Sequence, residues 1–262
     1  MTSPAPATTP PPRPLSDALR SLGLRRTAEE LPDFLARATR SRWSPAVLLE
    51  ELARAEAQDR ARRCLERRLS RARLGRFKLM ADFEWDWPKT LDRAAVERVL
   101  ALGFLESGVN VILAAAQGLG KTMIAKNVAH QAVLAGAHVL CVTAADLLLD
   151  LGGQETTRAL ERRLRHYVEP RLLVIDEIGY LTFDNRAADL LFQVVSRRYE
   201  RRSILVTTNL AFKDWGTIFP NAACVTALID RLTHHAEIIT LTGESYRRRE
   251  AEATQKARRE KP

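Results

Sequence analysis

The sequence is short of several things, and each shortage narrows the field. Only three cysteines occur in 262 residues, Cys64, Cys141 and Cys224. They make no CxxC pair and leave one over, so a disulfide framework is not expected. Long apolar runs are missing: the longest covers the six residues Val111–Ala116, against the ~18 that a membrane span needs. The opening MTSPAPATTPPPRP lacks the apolar stretch of a signal peptide. A soluble, cytoplasmic protein without a membrane partner is therefore expected. Half of the twelve prolines fall within residues 1–14, which hold too little apolar surface to fold and are expected to form a disordered tail.

Acid is scarce only at the two ends. Residues 13–80 carry a formal balance of +8, residues 81–246 carry −3, and residues 247–262 carry +4. Such asymmetry points the ends toward a polyanion, and duplex DNA is the expected one.

Residues 15–80 read as a helical, basic, DNA-binding domain. Thr27–Glu30 has the spacing of a capping box, and Pro32 would break or delay its helix. Ser44-Pro45 is a stronger start, a capping hydroxyl followed by proline at the first helical position. No glycine or proline interrupts the run from Ala46 to Arg73. Leu48, Leu52 and Ala55 recur at helical spacing, as do Leu65, Leu69 and Ala72. Arg54, Arg60, Arg62, Arg63, Arg67, Arg68, Arg71 and Arg73 surround these stripes and are the expected DNA contacts.

From Val109 the pattern changes. Short β-branched runs at Val109–Ala114, His138–Val142, Leu172–Ile175, Ile204–Val206 and Ile238–Leu241 alternate with amphipathic helical stretches. This predicts an α/β fold, a central parallel sheet flanked by helices, over residues 81–246. A basic tail would follow over 247–262.

Ala115-Ala-Gln-Gly-Leu-Gly-Lys-Thr122 sits between a predicted strand and a predicted helix, the setting a P-loop requires. Gly118 and Gly120 let successive N–H groups converge on one phosphate, and the helix start adds positive dipole. ATP is thus expected along Ala115, Ala116, Gln117, Gly118, Leu119, Gly120, Lys121, Thr122 and Met123. Lys121 would reach the β- and γ-phosphates, and Thr122 would offer its hydroxyl to Mg²⁺. Ala115 replaces the glycine usual at the first position; a positive φ there would strain it by ~1 kcal/mol or more. Downstream, Leu172-Leu-Val-Ile-Asp-Glu177 ends an apolar strand in two carboxylates. Asp176 at the carboxyl edge of the sheet would hold Mg²⁺, and Glu177 would activate the attacking water.

With these motifs in place the sequence resembles the AAA+ P-loop ATPases, and among them the IstB-like helpers of transposition, relatives of the DnaC helicase loaders. The likeness also rests on Ile178-Gly-Tyr180, Ile204-Leu-Val-Thr-Thr-Asn209, Ile229-Asp-Arg-Leu-Thr-His-His235 and Gly243-Glu-Ser-Tyr-Arg247. It implies a Mg²⁺-dependent ATPase, a homo-oligomer on target DNA that recruits or stimulates a transposase. Helicase loading is the alternative. By position, Asn209 matches the sensor-1 residue, Arg231 an arginine finger acting on a neighbouring subunit, and Arg247 the sensor-2 residue at the nucleotide. The chain ends too soon after Arg247 for a full helical lid.

Three further features have simpler readings. His234 and His235 are adjacent, with no third ligand at metal spacing, and a structural or interface role is preferred over metal binding. Cys141 lies in an apolar strand as a small core residue. Trp85 and Trp87 are expected to pack the linker on the ATPase core near the nucleotide base.

Overall fold

A computed structural model describes residues 14–179, 184–219 and 222–259, the last seven of them and Ala222 by backbone alone. The proline-rich start before Pro14 and Tyr180 lie outside the described residues. Packing divides the chain into two compact units, up to Glu66 and from Arg67.

The first unit holds α1 (Leu15–Ser21), α2 (Arg25–Glu29), α3 (Leu31–Arg40) and most of α4 (Pro45–Ala72). The expected capping box does not form: Thr27 is inside α2, buried, and its N–H donates to the Glu56 carboxylate at 2.6 Å. Pro32 falls in the first turn of α3, where it starts the helix and does not break it. Ser44 does cap α4, its Oγ accepting from Val47 N at 3.4 Å. Phe34, Ala28 and Ala38 form a small core, with Trp43 edge-on to Phe34.

The boundary expected at residues 80 and 81 falls earlier, inside α4, because residues 67–80 pack on the sheet domain. Arg68 Nε donates to Val133 O at 3.3 Å. Asn127 donates to Lys78 O at 2.9 Å and accepts from Met80 N at 3.0 Å. One buried amide thus ties the incoming strap to the core.

The second unit continues with α5 (Arg93–Leu100), α6 (Phe104–Ser107), β1 (Asn110–Ala115), α7 (Lys121–Leu134), β2 (Val139–Thr143), α8 (Ala144–Gly152) and α9 (Thr157–Val168). β3 (Leu172–Ile178), α10 (Asn185–Arg198), β4 (Ser203–Thr208), α11 (Ala222–Thr233), β5 (Ala236–Leu241) and α12 (Tyr246–Arg259) complete it. The five strands form one parallel sheet in the order β2-β3-β4-β1-β5. Strand alternation sends Ile112, Leu140, Leu173, Ile175, Ile204 and Val206 into a core shared with α8–α11. Val111, Leu113, Val139, Leu172, Val174 and Leu205 face the other way, where α7 packs. Burial on both faces is why these strands read as continuous apolar runs. The basic segment expected from residue 247 lies in α12 (Tyr246–Arg259).

Candidate functional site

The five strands all point their carboxyl ends at one edge, and there β1, β3 and β4 gather the candidate residues. β1 ends at Ala115, and α7 starts at Lys121. Ala115 is part of the strand and has no positive φ, so the missing glycine costs nothing. The two glycines that matter are later. Gly118 has φ +77°, and a methyl group there would overlap Ser245 Oγ. Gly120 has φ +95°, and its Cβ would stand 2.7 Å from the Phe83 ring. Gly120 caps α7 without a side-chain hydrogen bond, which leaves the first-turn N–H groups of a 14-residue helix turned toward the loop.

Lys121 is buried, and its Nζ donates to Ala115 O at 2.6 Å and Ala116 O at 2.8 Å. Burial lowers the pKa of its ammonium, Asp176 opposes that shift, and Arg247 adds to it. Thr122 Oγ1 donates to Asp176 Oδ1 at 3.1 Å, and Thr207 Oγ1 donates to the same oxygen. A hydroxyl and a carboxylate thus meet beside the loop, an oxygen pair suited to a hard cation.

Glu177 is placed by a backbone irregularity. The pairing of β3 with β4 shifts register between Ile175 and Ile178, and Glu177 adopts φ +66°. A glutamate in that region costs ~1–3 kcal/mol. Its N–H donates to Thr207 Oγ1 at 2.9 Å, which helps hold the turn and leaves the carboxylate exposed to the cleft. Asn209 follows β4; its Oδ1 is buried without a hydrogen-bond partner among the described residues and lies so close to Gly179 that a side chain there would collide with it.

Lys121, Thr122, Met123, Glu177 and Arg247 line one cleft of about 240 Å³, together with Gly118–Gly120. Arg231 and Asn209 are not among its lining residues. Arg231 stacks over the Phe192 ring at 4.6 Å and donates to Ala227 O at 3.2 Å.

Of the two tryptophans expected near the nucleotide base, Trp87 lines the cleft and Trp85 does not, while other lining residues escaped the sequence reading. Phe83, Trp87 and Tyr246 form the aromatic rim, where Trp87 Nε1 donates to Glu244 O at 2.9 Å. Arg249 lies 4.0 Å over the Trp87 ring and 4.9 Å over Tyr246, and donates to Glu84 at 2.5 Å. Tyr246 donates to the other Glu84 oxygen at 2.9 Å. Trp85 sits one step away, edge-on to Phe83 and under Arg93. Only the alternation of aromatics with acids in 83–87 hinted at this strap, and Thr207 had no signal beyond its place near a strand end.

The arginines on and after α4 divide. Arg54 pairs with Glu51, Arg62 with Asp59 and Glu66, and Arg63 with Asp59. Arg68 is tied to Val133 O. Arg67 is exposed; so are Arg60, Arg71 and Arg73, and these last three have no ion pair among the described residues. His234 and His235 do have a carboxylate neighbour, Glu200, whose Oε1 is 3.8 Å from a ring nitrogen of each. The sequence hid it 34 residues upstream. All three are exposed, and Tyr199 already bonds His234 Nδ1 at 2.6 Å.

A family model for IstB-like ATP-binding proteins matches residues 17–254. The chain belongs to that family. It is 38% identical over 195 residues to the ATP-binding protein named for insertion sequence IS21 of Pseudomonas aeruginosa, covering 74% of each chain. It is 35% identical over 207 residues to the corresponding protein of insertion sequence IS5376 in Geobacillus stearothermophilus, covering 79% of this chain and 82% of that one. The crystal structure of DnaI shares the fold, with TM-score 0.52 and 18% identity over 66% of this chain and 90% of that one. The IstB-like chain is therefore an ATP-binding AAA+ protein, and its cleft at the carboxyl edge of the sheet has the glycine cradle that ATP binding requires. No described helix is long and apolar enough to cross a membrane.

Proposed function

We propose that this IstB-like protein hydrolyses ATP with Mg²⁺ and assembles as a homo-oligomer on duplex DNA, where it recruits or stimulates the transposase of its element. The insertion-sequence relatives support the biological setting. The observation that carries hydrolysis is the bulge in β3, which turns the Glu177 carboxylate to the cleft while Asp176 stays hydrogen-bonded to Thr122 and Thr207.

Roles follow from placement. Lys121 leaves its two carbonyl acceptors to meet the β- and γ-phosphates. Gly118 and Gly120 open the backbone for their approach. Thr122 and Asp176 would hold Mg²⁺, which would supply charge to the phosphate oxygens. Glu177 accepts the proton of the attacking water, which Asn209 orients. Arg247 reaches the nucleotide from α12, and Arg231 serves a neighbouring subunit. The arginines on and after α4 grip DNA, with Arg60 on the helical unit and Arg71 and Arg73 on the second unit as available charges. The helicase-loader alternative has only the shared fold in its favour.

The test is ATP turnover by the purified protein, with and without duplex DNA and with EDTA. Turnover that rises with DNA and stops with EDTA is expected. Turnover indifferent to both overturns the reading.

A further inference from the structure

Opposite the nucleotide cleft, the amino edge of the sheet carries positive charge that ATP hydrolysis does not use. β2, β3 and β4 are neighbours, and their register pairs Val139 with Leu172 and Leu172 with Ser203. The residues one step earlier, His138, Arg171 and Arg202, therefore stand in a row across three adjacent strands. Strand spacing of ~4.8 Å gives the row a backbone span of about 10 Å. Arg171 N donates to His138 O at 2.8 Å, which fixes the first pair. All three side chains are exposed, as is Arg201.

The surroundings add charge of the same sign. Burial lowers the pKa of His138, and Arg71 and Arg202 lower it further, so His138 joins the row as a neutral hydrogen-bonding group and the arginines carry its charge; Arg73 acts on the neighbouring His166. Two acids face the region: Glu169, beside His138, and Glu200, which sits with His234 and His235. Among the described residues, none of Arg71, Arg73, Arg171, Arg201 and Arg202 has an ion pair.

Beneath the row lies Arg198, wholly buried and without a carboxylate partner among the described residues. Its Nη1 donates to the carbonyls of Tyr167, Val168 and Pro170, each at 2.9 Å. Its Nη2 donates to Ser203 O at 2.6 Å and Arg171 O at 3.4 Å. Burial pulls this guanidinium down to about 9, so it is still charged at neutral pH. It clamps the turns that carry Arg171 and Arg202 and leaves its own charge unneutralised under them. A rigid cationic row over a buried cation attracts a regular polyanion. A row of that length is enough to meet two neighbouring phosphates of one DNA strand, each able to take a guanidinium.

We propose that His138, Arg171 and Arg202 form a second DNA contact, on the ATPase unit, that holds the phosphate backbone without reading sequence. It rests on the reading above for the identity of the polyanion; Arg71 of α4 adds to the local field but is not one of the proposed contacts. In the full-length protein, Arg171→Gln/Arg202→Gln should make the log–log salt dependence of duplex binding shallower by about 1.8, two contacts at ~0.9 each. Affinity at ~0.15 M salt should fall about tenfold or more. Anisotropy of a labelled duplex measures both. Arg171→Lys/Arg202→Lys keeps the charge and should keep the slope, which separates charge loss from misfolding. If Arg60→Gln weakens binding and the Gln pair leaves it unchanged, DNA binding stands and this second contact falls. If the wild type shows no salt-dependent duplex binding, both fall. If the Gln pair loses binding to phosphatidylserine vesicles while duplex binding is unchanged, the row serves an anionic membrane and the DNA contact is overturned.

Discussion

At the scale of single residues, holding ATP and cleaving it fall, in the proposed function, to different side chains of the cleft. Lys121 is the buried cation of the site, so Lys121→Ala should abolish nucleotide binding in an equilibrium assay with a fluorescent ATP analogue. Glu177 is exposed and stands on a bulge at the end of β3, lining the same cleft as the glycines. Glu177→Gln should bind ATP as the wild type does and lose turnover by about a hundredfold or more, because an amide cannot take a proton from water. Equal loss of binding in both variants would remove this division of labour. Glu177→Gly offers a sharper control, since glycine accepts φ +66° without strain. It should be inactive yet at least as stable to heat as Glu177→Gln.

These residues were legible for a physical reason. Phosphate chemistry needs glycines, a lysine and a hydroxyl within eight consecutive positions, so the motif survives in one dimension. Asp176 and Glu177 were legible because an apolar strand runs straight into them. Thr207 was not, since its contribution is a hydroxyl placed between two backbone turns by sheet register. Glu84 and Arg249 were hidden likewise: they are 165 residues apart and meet only because the strap and α12 both cross the P-loop.

At the scale of elements, the strands were read to within a few residues of their ends, since β1 to β4 are apolar on both faces, whereas α8, α9 and α11 were not individually read. The misplaced boundary has a different cause. α4 runs 28 residues without interruption, and no local feature marks where its neighbours change from one unit to the other. Arg198 shows how elements are joined without a hydrophobic signal, through five carbonyls from the α9–β3 connection and β4. Arg198→Met fills much of the volume but leaves those acceptors unpaired, at ~1–3 kcal/mol for each that water cannot reach. Thermal unfolding followed by circular dichroism should show a midpoint lower by roughly 6 °C or more. A variant as stable as the wild type would mean that water replaces the guanidinium there. The strap and α12 make a second junction, through Glu84, Trp87, Tyr246 and Arg249. Arg249→Ala should weaken nucleotide binding a few-fold and change Trp fluorescence, whereas Arg249→Lys should restore the ion pair to Glu84 and little of the stacking.

At the scale of the whole molecule, the decisive residue is one that its own cleft does not use. Arg231 rests on Phe192 and Ala227, apart from the residues that line the nucleotide site. A guanidinium so placed is available to charge developing on a γ-phosphate in an adjacent subunit, and it would make hydrolysis depend on assembly. Arg231→Ala should then bind ATP nearly normally and turn it over poorly. Lys121→Ala should be inactive for the opposite reason, an empty pocket with an intact finger. Mixing the two should restore part of the turnover, because some interfaces then pair a working pocket with a working finger. Arg231→Lys should rescue little, since an ammonium lacks the planar fork. Co-assembly is checked by differential tagging and pull-down. If the confirmed mixture stays as inactive as each variant alone, Arg231 is no trans finger, and its stack on Phe192 is simply a packing contact of α10 and α11.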